Sequence, residues 1–503
     1  MQSFETKILN RFNDVVKRHQ NNNAFIIKDS NYTYREFYNL ICSIQNSIMR
    51  EKQSSNSLVC LVCNDDIYTY ASIWALWFLG KGYVPLHPEQ PIDRNLNIIK
   101  QVEADLILDS ENNHSYPDIQ VLNTSSCSTK ENNLAITTVS VDDTYTAYIL
   151  FTSGSTGSPK GVEISRKNIA SFVESIELCG YKITPSDKCL QYFDLTFDVS
   201  VQSFILPLLN GASVYTIPVG ALRATYAINL IQTHQLTCAS IAPSLIRLFR
   251  PYLNEINAKS LRLCIVTAEA SYKSLIEEWG ACACNATIFD FYGPTECTIY
   301  CTYYKCPNNL KLIKHHNDCL SIGKTMPGVI GIIIDEKGNT LPNGEIGELC
   351  IAGDQVSTGY WKNPEKNTEA FFNMEFLGKD QRFYHTGDSC YIDKDGDIMY
   401  LGRIDFQAKI QGYRVELGEI EYHIKQFLKK EAIVLAIKSE NGDDELYTFI
   451  QSSNPIDKTN LINYLKSKMP SYMVPMKYII ITDFPLNANG KIDRKQLNNL
   501  IKQ

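Results

Sequence analysis

The stretch Tyr148-Ile-Leu-Phe-Thr-Ser-Gly-Ser-Thr-Gly-Ser-Pro-Lys-Gly-Val162 decides how this 503-residue chain is read. An apolar strand runs straight into a loop of small hydroxylated residues and glycines, and the loop closes on Lys160. Such a loop suits a polyphosphate. Glycines let backbone N–H groups come close, hydroxyls donate to phosphate oxygens, and the lysine supplies charge. A Walker A loop does not fit, because Lys160 follows Pro159 and precedes Gly161, so the Gly-Lys-Ser/Thr unit is missing. A flexible linker would not follow a hydrophobic strand.

Outward from this loop the chain alternates. Thr33-Tyr-Arg-Glu36 has the form of a capping box and opens an amphipathic helix to about residue 50. A strand at 58–63 and a helix at 66–79 follow, and strand-like and helix-like segments alternate to about residue 300. That alternation predicts an α/β fold with mostly parallel sheets. From about 321 to 404 short strands, such as 329–335 and 348–352, are separated by Glu336-Lys-Gly-Asn339 and Lys394-Asp-Gly-Asp397. These turns predict a β-rich subdomain with hairpins. Past Gly402-Arg-Ile-Asp405 the pattern becomes a small α+β unit, with helices near 417–430 and 459–468 and a strand near 432–437. The expected division is therefore a large domain over 1–404 and a small one over 405–503.

Composition narrows the function. Lys and Arg number 48 against 55 Asp and Glu, so the net charge is −7. A mildly acidic chain with no basic block is a poor match to nucleic-acid binding. The N-terminus is polar and amphipathic, without the apolar core of a signal peptide. The longest apolar run, 68–79, is well short of the roughly 20 residues that a membrane-spanning helix needs. A cytoplasmic protein with no membrane partner is expected. The 16 cysteines lack finger-like spacing; Cys60 and Cys63 sit inside the apolar run LVCLVC, and free, packed thiols are expected. His315-His316 reads as solvated rather than metal-bound.

Further motifs stand in a fixed order along the chain. They are Phe197-Asp-Val-Ser200, Phe291-Tyr-Gly-Pro-Thr-Glu296, Gly344-Glu-Ile-Gly-Glu-Leu349, Gly359-Tyr-Trp361, Tyr384-His-Thr-Gly-Asp388, Gly402-Arg-Ile-Asp405, Gly412-Tyr-Arg-Val-Glu416 and Asn489-Gly-Lys-Ile-Asp493. With the Thr/Ser/Gly loop, this series resembles the adenylate-forming enzymes, and within them the amino-acid adenylation domains of nonribosomal peptide synthetases. The resemblance runs from about residue 20 to Leu497. It implies two α/β sheet subdomains plus a β-barrel-like subdomain, a mobile α+β C-terminal domain, and a hinge at Asp405. The implied reaction is attack of a substrate carboxylate on the α-phosphorus of ATP, which needs no activated serine or general base.

The resemblance also implies roles. Thr152, Ser153, Gly154, Ser155, Thr156 and Lys160 hold the β- and γ-phosphates. Thr295 donates to the α-phosphate, and Glu296 is the Mg²⁺ ligand. Tyr292 stacks on adenine, Asp290 accepts from its amino group, and Ala268, Glu269, Phe291, Gly293 and Tyr400 line the nucleotide site. Asp388 accepts from the ribose hydroxyls, with Arg403 beside it. Lys491 reaches the carboxylate and α-phosphate, and Lys409 replaces it as a phosphate contact after domain rotation. Taken singly, Asp388, Asp405 and Lys491 would pass for turn residues.

Asp198 implies an amino acid, since the family places an aspartate there to pair with the α-ammonium; a helix N-cap is the alternative. The implied side-chain wall is Val199, Gln202, Ser240, Val266, Ala268, Phe291, Ile299 and Tyr300, with Lys491 at the polar end. It is compact and uncharged, and its Asp-Val-Gln opening resembles proline-activating domains, including anatoxin-type ones. Phe291 and Ser240 depart from that pattern. L-Proline is the expected substrate, with D-alanine or another small apolar amino acid as the alternative. No carrier segment follows the last motif, so a separate phosphopantetheinylated carrier protein is the expected acceptor. An acyl-CoA synthetase and a silent nucleotide-binding homologue are the remaining alternatives.

Overall fold

Local signals set the first elements. In the computed structural model the Thr33 N–H donates to Glu36 Oε2 at 2.8 Å and the Glu36 N–H donates to Thr33 Oγ1 at 3.2 Å, so the capping box opens the helix Tyr34–Arg50. Asp66 caps the helix Ile67–Phe78 by accepting from the Thr69 N–H at 2.8 Å. The structure describes residues 2–50, 56–111, 113, 116–127, 135–154, 158–405, 407–439, 442–486 and 492–501.

Two sheets carry the large part of the chain. The first orders its strands Gly359–Tyr360, Lys160–Ser165, Thr146–Thr152, Gly82–Leu86, Leu58–Val62, Leu106–Asp109 and Gln120–Asn123. The last five are linked by parallel pairing. The second sheet has a parallel half, in the order Asn23–Ile27, Ser213–Thr216, Lys188–Gln191, Cys238–Ile241, Leu263–Val266 and Thr287–Tyr292. Its pairing turns antiparallel at Thr302–Lys305 and stays so through Cys319–Thr325, Ile398–Arg403, Lys379–Ile392, Gly347–Gly353 and Val329–Ile334. The β-rich stretch is thus hydrogen-bonded onto the edge of the parallel sheet. Parallel strands buried on both faces need long apolar runs, and Leu58–Val62 is buried throughout.

The chain divides into two compact units. One comprises Met1–Pro88, Val102–Leu150 and Gly161–Ile404; the other comprises Glu89–Gln101, Phe151–Lys160 and Asp405–Gln503. Within the second, the hairpin Gln407–Ile410/Tyr413–Glu416 leads into the helix Leu417–Leu428. A three-stranded sheet of Ala432–Lys438, Asp444–Gln451 and Lys477–Ile481 follows. All 16 cysteines are free and most are buried. Among the described residues no helix is long and apolar enough to cross a membrane.

Candidate functional site

Three neighbouring parallel strands, Cys238–Ile241, Leu263–Val266 and Thr287–Tyr292, end side by side, with Ile241 paired to Val266 and Val266 to Asp290. Ligands of open α/β sheets bind beyond such carboxyl ends. Ser240, Thr267, Ala268, Asp290, Phe291 and Tyr292 are gathered there by register alone. The helix Asp198–Leu208 follows the adjacent strand Lys188–Gln191 and brings Asp198, Val199 and Gln202. Ser240 Oγ donates to Gln202 Oε1 at 3.1 Å. The Phe291 and Tyr300 rings lie 4.9 Å apart, and Tyr303 stacks on Phe291 at 5.9 Å. Val199, Phe291, Ile299 and Tyr300 share one hydrophobic core, and Ala268 packs against it. Val266 lies in a separate hydrophobic core with Ile241, because successive strand residues face opposite sides of a sheet.

Asp198 is 7 % exposed and is the first residue of its helix, not the cap. The cap is Phe197, which makes no side-chain capping bond. Burial, and then the Asp198 charge, push the Tyr148 and Tyr300 hydroxyls well above their ordinary pKa. The aspartate therefore lies within electrostatic reach of both phenols.

On the other flank Asp388 and Arg403 pair directly across two strands. Arg403 donates to Asp388 Oδ1 at 3.1 Å and to the Thr386 carbonyl at 2.7 Å. The Tyr292 hydroxyl donates to Asp388 Oδ2. Burial and the Asp388 charge raise the pKa of Tyr292, and those of Tyr400 as well, whose ring lies 6.4 Å from that of Tyr292. Between these groups, Thr295 and Glu296 form one short turn of helix. Glu296 is fully buried and accepts from the Tyr360 hydroxyl at 2.6 Å. The turn ends on Thr298 and Ile299 at φ 55° and 74°, and Ala268 stands at 71°. Left-handed backbone is strained for a β-branched residue and persists only where its surroundings hold it. Gln355 does the holding: its Nε2 donates to the Tyr300 carbonyl at 2.6 Å, and Thr298 Oγ1 donates to the Gln355 carbonyl at 2.6 Å. Gly293 passes so close that a Cβ would lie 2.5 Å from the Ile299 carbonyl oxygen. Glu269 is engaged away from this turn, accepting from the Ser244 N–H at 3.0 Å and from Arg247 at 2.5 Å.

A second group of charges is buried in the same unit. Asp194 accepts from Arg223 at 3.3 Å and faces His87 Nε2 at 2.9 Å. Burial works against it, but His87 and Arg223 hold its carboxyl well below the usual range. Asp65, which accepts from the Tyr70 hydroxyl and lies 3.7 Å from Arg223, is pushed up to about 7 by burial.

The glycine-rich loop is grouped with the smaller unit, and its residues Ser153, Gly154 and Lys160 are engaged there. Ser153 Oγ donates to the Arg414 carbonyl at 3.0 Å and accepts from the Glu416 N–H at 2.9 Å. The Gly154 N–H donates to Glu419 Oε2 at 3.0 Å, and Lys160 pairs with Glu416 at 3.1 Å. Glu419, wholly buried, takes Arg94 on its other oxygen at 2.8 Å. Thr152 lies at the end of its strand, Lys409 faces Arg414 across the hairpin, and Asp405 is exposed at the boundary between the units. Ser155, Thr156 and Lys491 lie outside the described residues. Glu419, Arg94 and Gln355 carried no local signal in the sequence, and Tyr360, though part of the Gly359-Tyr-Trp361 motif, was given no role; each acts through a partner more than 50 residues away.

Residues 12–361 match the family of AMP-binding enzymes. The chain is 31% identical to zwittermicin A synthase ZmaJ of Bacillus cereus, over 98% of this chain and 94% of that protein. It is 30% identical to tyrocidine synthase 3 of Brevibacillus parabrevis, over 94% of this chain but 7% of that much longer protein. A solved adenylation domain, AlmE of Vibrio cholerae in complex with glycyl-adenosine-5'-phosphate, has the same fold: TM-score 0.84, 24% identity, 98% of each chain.

Proposed function

The chain belongs to the AMP-binding enzymes, and on that premise we propose that it activates an amino acid as its aminoacyl-AMP and passes it to a carrier thiol. Asp198 is the observation that carries the amino-acid reading. The family's amino-acid-activating members set an aspartate at this position against the α-ammonium, and here Asp198 stands there, buried at the head of its helix beside the Gln202–Ser240 bond.

The substrate carboxylate attacks the α-phosphorus; its oxygen bonds to phosphorus as the bridge to pyrophosphate breaks. The carboxylate is already a nucleophile at neutral pH, so the protein's work is positioning and charge. Thr152, Ser153, Gly154, Ser155, Thr156 and Lys160 bind the β- and γ-phosphates. In doing so Ser153, Gly154 and Lys160 exchange their contacts with Arg414, Glu416 and Glu419 for phosphate oxygens. Thr295 donates to the α-phosphate, Asp388 and Arg403 hold the ribose, and Tyr292 gives up its bond to Asp388 to stack on adenine. Asp290 takes the adenine amino group, and Ala268, Phe291, Gly293 and Tyr400 complete the wall. Glu269, bound to Arg247, supports that wall. Lys491 offsets charge on the reacting carboxylate and phosphate, and Lys409 serves the thiol half-reaction after rotation about Asp405.

Glu296 fits a Mg²⁺ ion, being a hard carboxylate, fully buried and oriented by Tyr360. When bound, the ion supplies charge neutralisation at the phosphates. For the side chain, the Phe291–Tyr300–Tyr303 aromatic cluster and the Gln202–Ser240 bond support a small, uncharged occupant. L-Proline is our choice, with D-alanine or another small apolar amino acid next. The deciding experiment is amino-acid-dependent ATP–pyrophosphate exchange with L-proline, D-alanine, small aliphatics, acetate and benzoate. Exchange driven by L-proline supports the whole proposal. Exchange with another amino acid keeps the reaction and replaces the substrate. Exchange with acetate or benzoate alone, or with nothing, overturns it.

A further inference from the structure

Glu348, Cys350 and His385 stand together on the antiparallel part of the second sheet, apart from the groups assigned above. Cys350 and His385 are direct partners across the ladder between Gly347–Gly353 and Lys379–Ile392, and Glu348 lies two residues before Cys350. One donor atom from each residue falls within 4.8 Å of the other two. Cys350 Sγ lies 3.7 Å from His385 Nδ1, and His385 Nδ1 lies 2.9 Å from Glu348 Oε2.

We propose that these three side chains form a binding site for a borderline divalent cation of the zinc type, with a fourth position left to water. A tetrahedral ion about 2.3 Å from sulfur and about 2.0 Å from nitrogen and oxygen sets S···N at about 3.5 Å and N···O at about 3.3 Å. The first distance is already nearly met. The second requires the imidazole and carboxylate to part by roughly 0.4 Å, the difference between a hydrogen bond and two ligands of one metal.

The surroundings favour this use. Glu348 Oε1 accepts from the Gly387 N–H at 2.8 Å, which fixes the carboxylate and leaves Oε2 for the ion. The His385 ring packs against Phe372 at 4.5 Å. Cys350 is fully buried among Ile332, Ile334, Ala352 and Phe383. A metal binds cysteine as the thiolate, so loading displaces the thiol proton to solvent, and thiolate plus carboxylate then neutralise the two charges of the ion.

The test uses the full chain, stripped with a chelator and titrated with Co²⁺ and then Zn²⁺. One equivalent of Co²⁺ is expected to give thiolate-to-metal charge-transfer absorption with tetrahedral ligand-field bands, and Zn²⁺ to abolish both. Cys350→Ser should lose the charge-transfer band. Because His385 is partly exposed, His385→Gln is the safer variant; it should keep its circular dichroism and lose affinity by about 100-fold or more. If Cys350→Ser does not fold, His385→Gln and Glu348→Gln decide. No charge-transfer band in the parent chain, or a band of undiminished affinity in the His385 and Glu348 variants, overturns the proposal. The second result would trace the band to an outlying thiol such as the exposed Cys284.

Discussion

Asp65 and Asp198 are both buried carboxylates, and burial acts on them to different ends. Asp65 sits beside Tyr70 and Arg223, yet desolvation outweighs both and moves it from its ordinary 3.8 to about 7. Over that window the folded chain binds more protons than the unfolded one. Its contribution to stability is therefore complete below about pH 4 and is lost as pH rises through 7. Asp65→Asn should remove this loss, flattening the pH dependence of the unfolding free energy by about 2–4 kcal/mol across the window. Denaturant titrations of both proteins at several pH values read it directly. Asp194 acts oppositely, adding stability that fades only in acid. Asp198, on the function proposed above, serves the substrate rather than the fold. Asp198→Asn should lower amino-acid-dependent exchange by about 100- to 1,000-fold, the cost of leaving one partner of a buried ion pair alone. Binding of ATP by itself should survive, which calorimetry can check. In sequence the Phe197-Asp198 pair allowed both a substrate partner and an N-cap, because one residue type serves both; only the helix start at Asp198 separates them.

Short-range elements were legible wherever the chemistry was local. Thr33 with Glu36, and Asp66 with Thr69, are three residues apart, and one turn of backbone brings each pair together. The alternation that predicted parallel sheets works for the same reason, since a strand buried on both faces declares itself by its apolar run. The turn from Thr295 to Tyr300 obeys no such rule. Thr298 and Ile299 have no glycine's freedom, and what holds them is Gln355, which arrives from another strand connection. Distance also hid the link within the Glu348–Cys350–His385 group: Glu348 and His385 stand in two separate motifs of the sequence, and only the ladder brings His385, 35 and 37 residues on, to Cys350 and Glu348. Gly293→Ala should destabilise by about 1–3 kcal/mol, because the new methyl meets backbone and not a movable side chain. Gln355→Ala should cost a similar amount by leaving the buried Tyr300 carbonyl without its donor. Both should lower exchange activity more than thermal stability alone explains, since the turn carries Thr295 and Glu296. Thermal melts beside exchange assays separate the two effects.

At the scale of the molecule, the chain passes from one compact unit to the other between Ile404 and Asp405, where the β-rich turn sequences stop. What no pattern foretold is that 89–101 and 151–160 join the 405–503 unit. That grouping rests on side chains far apart in the chain, with Arg94 and Gly154 both meeting Glu419. Arg94→Met leaves Glu419 buried with less compensation and should destabilise that unit by about 3–5 kcal/mol. Hydrogen exchange should then quicken at Gly154 and along Leu417–Leu428, and stay unchanged in strand Leu58–Val62. The same three-piece construction bears on biosynthesis. Chain growth is vectorial, and the loop at 151–160 leaves the ribosome long before residue 419 exists. Through that interval the amide of Gly154 and the hydroxyl of Ser153 have none of the protein partners seen here. Ser153 and Gly154 are thus made early and receive their partners late, once Arg414, Glu416 and Glu419 have been added.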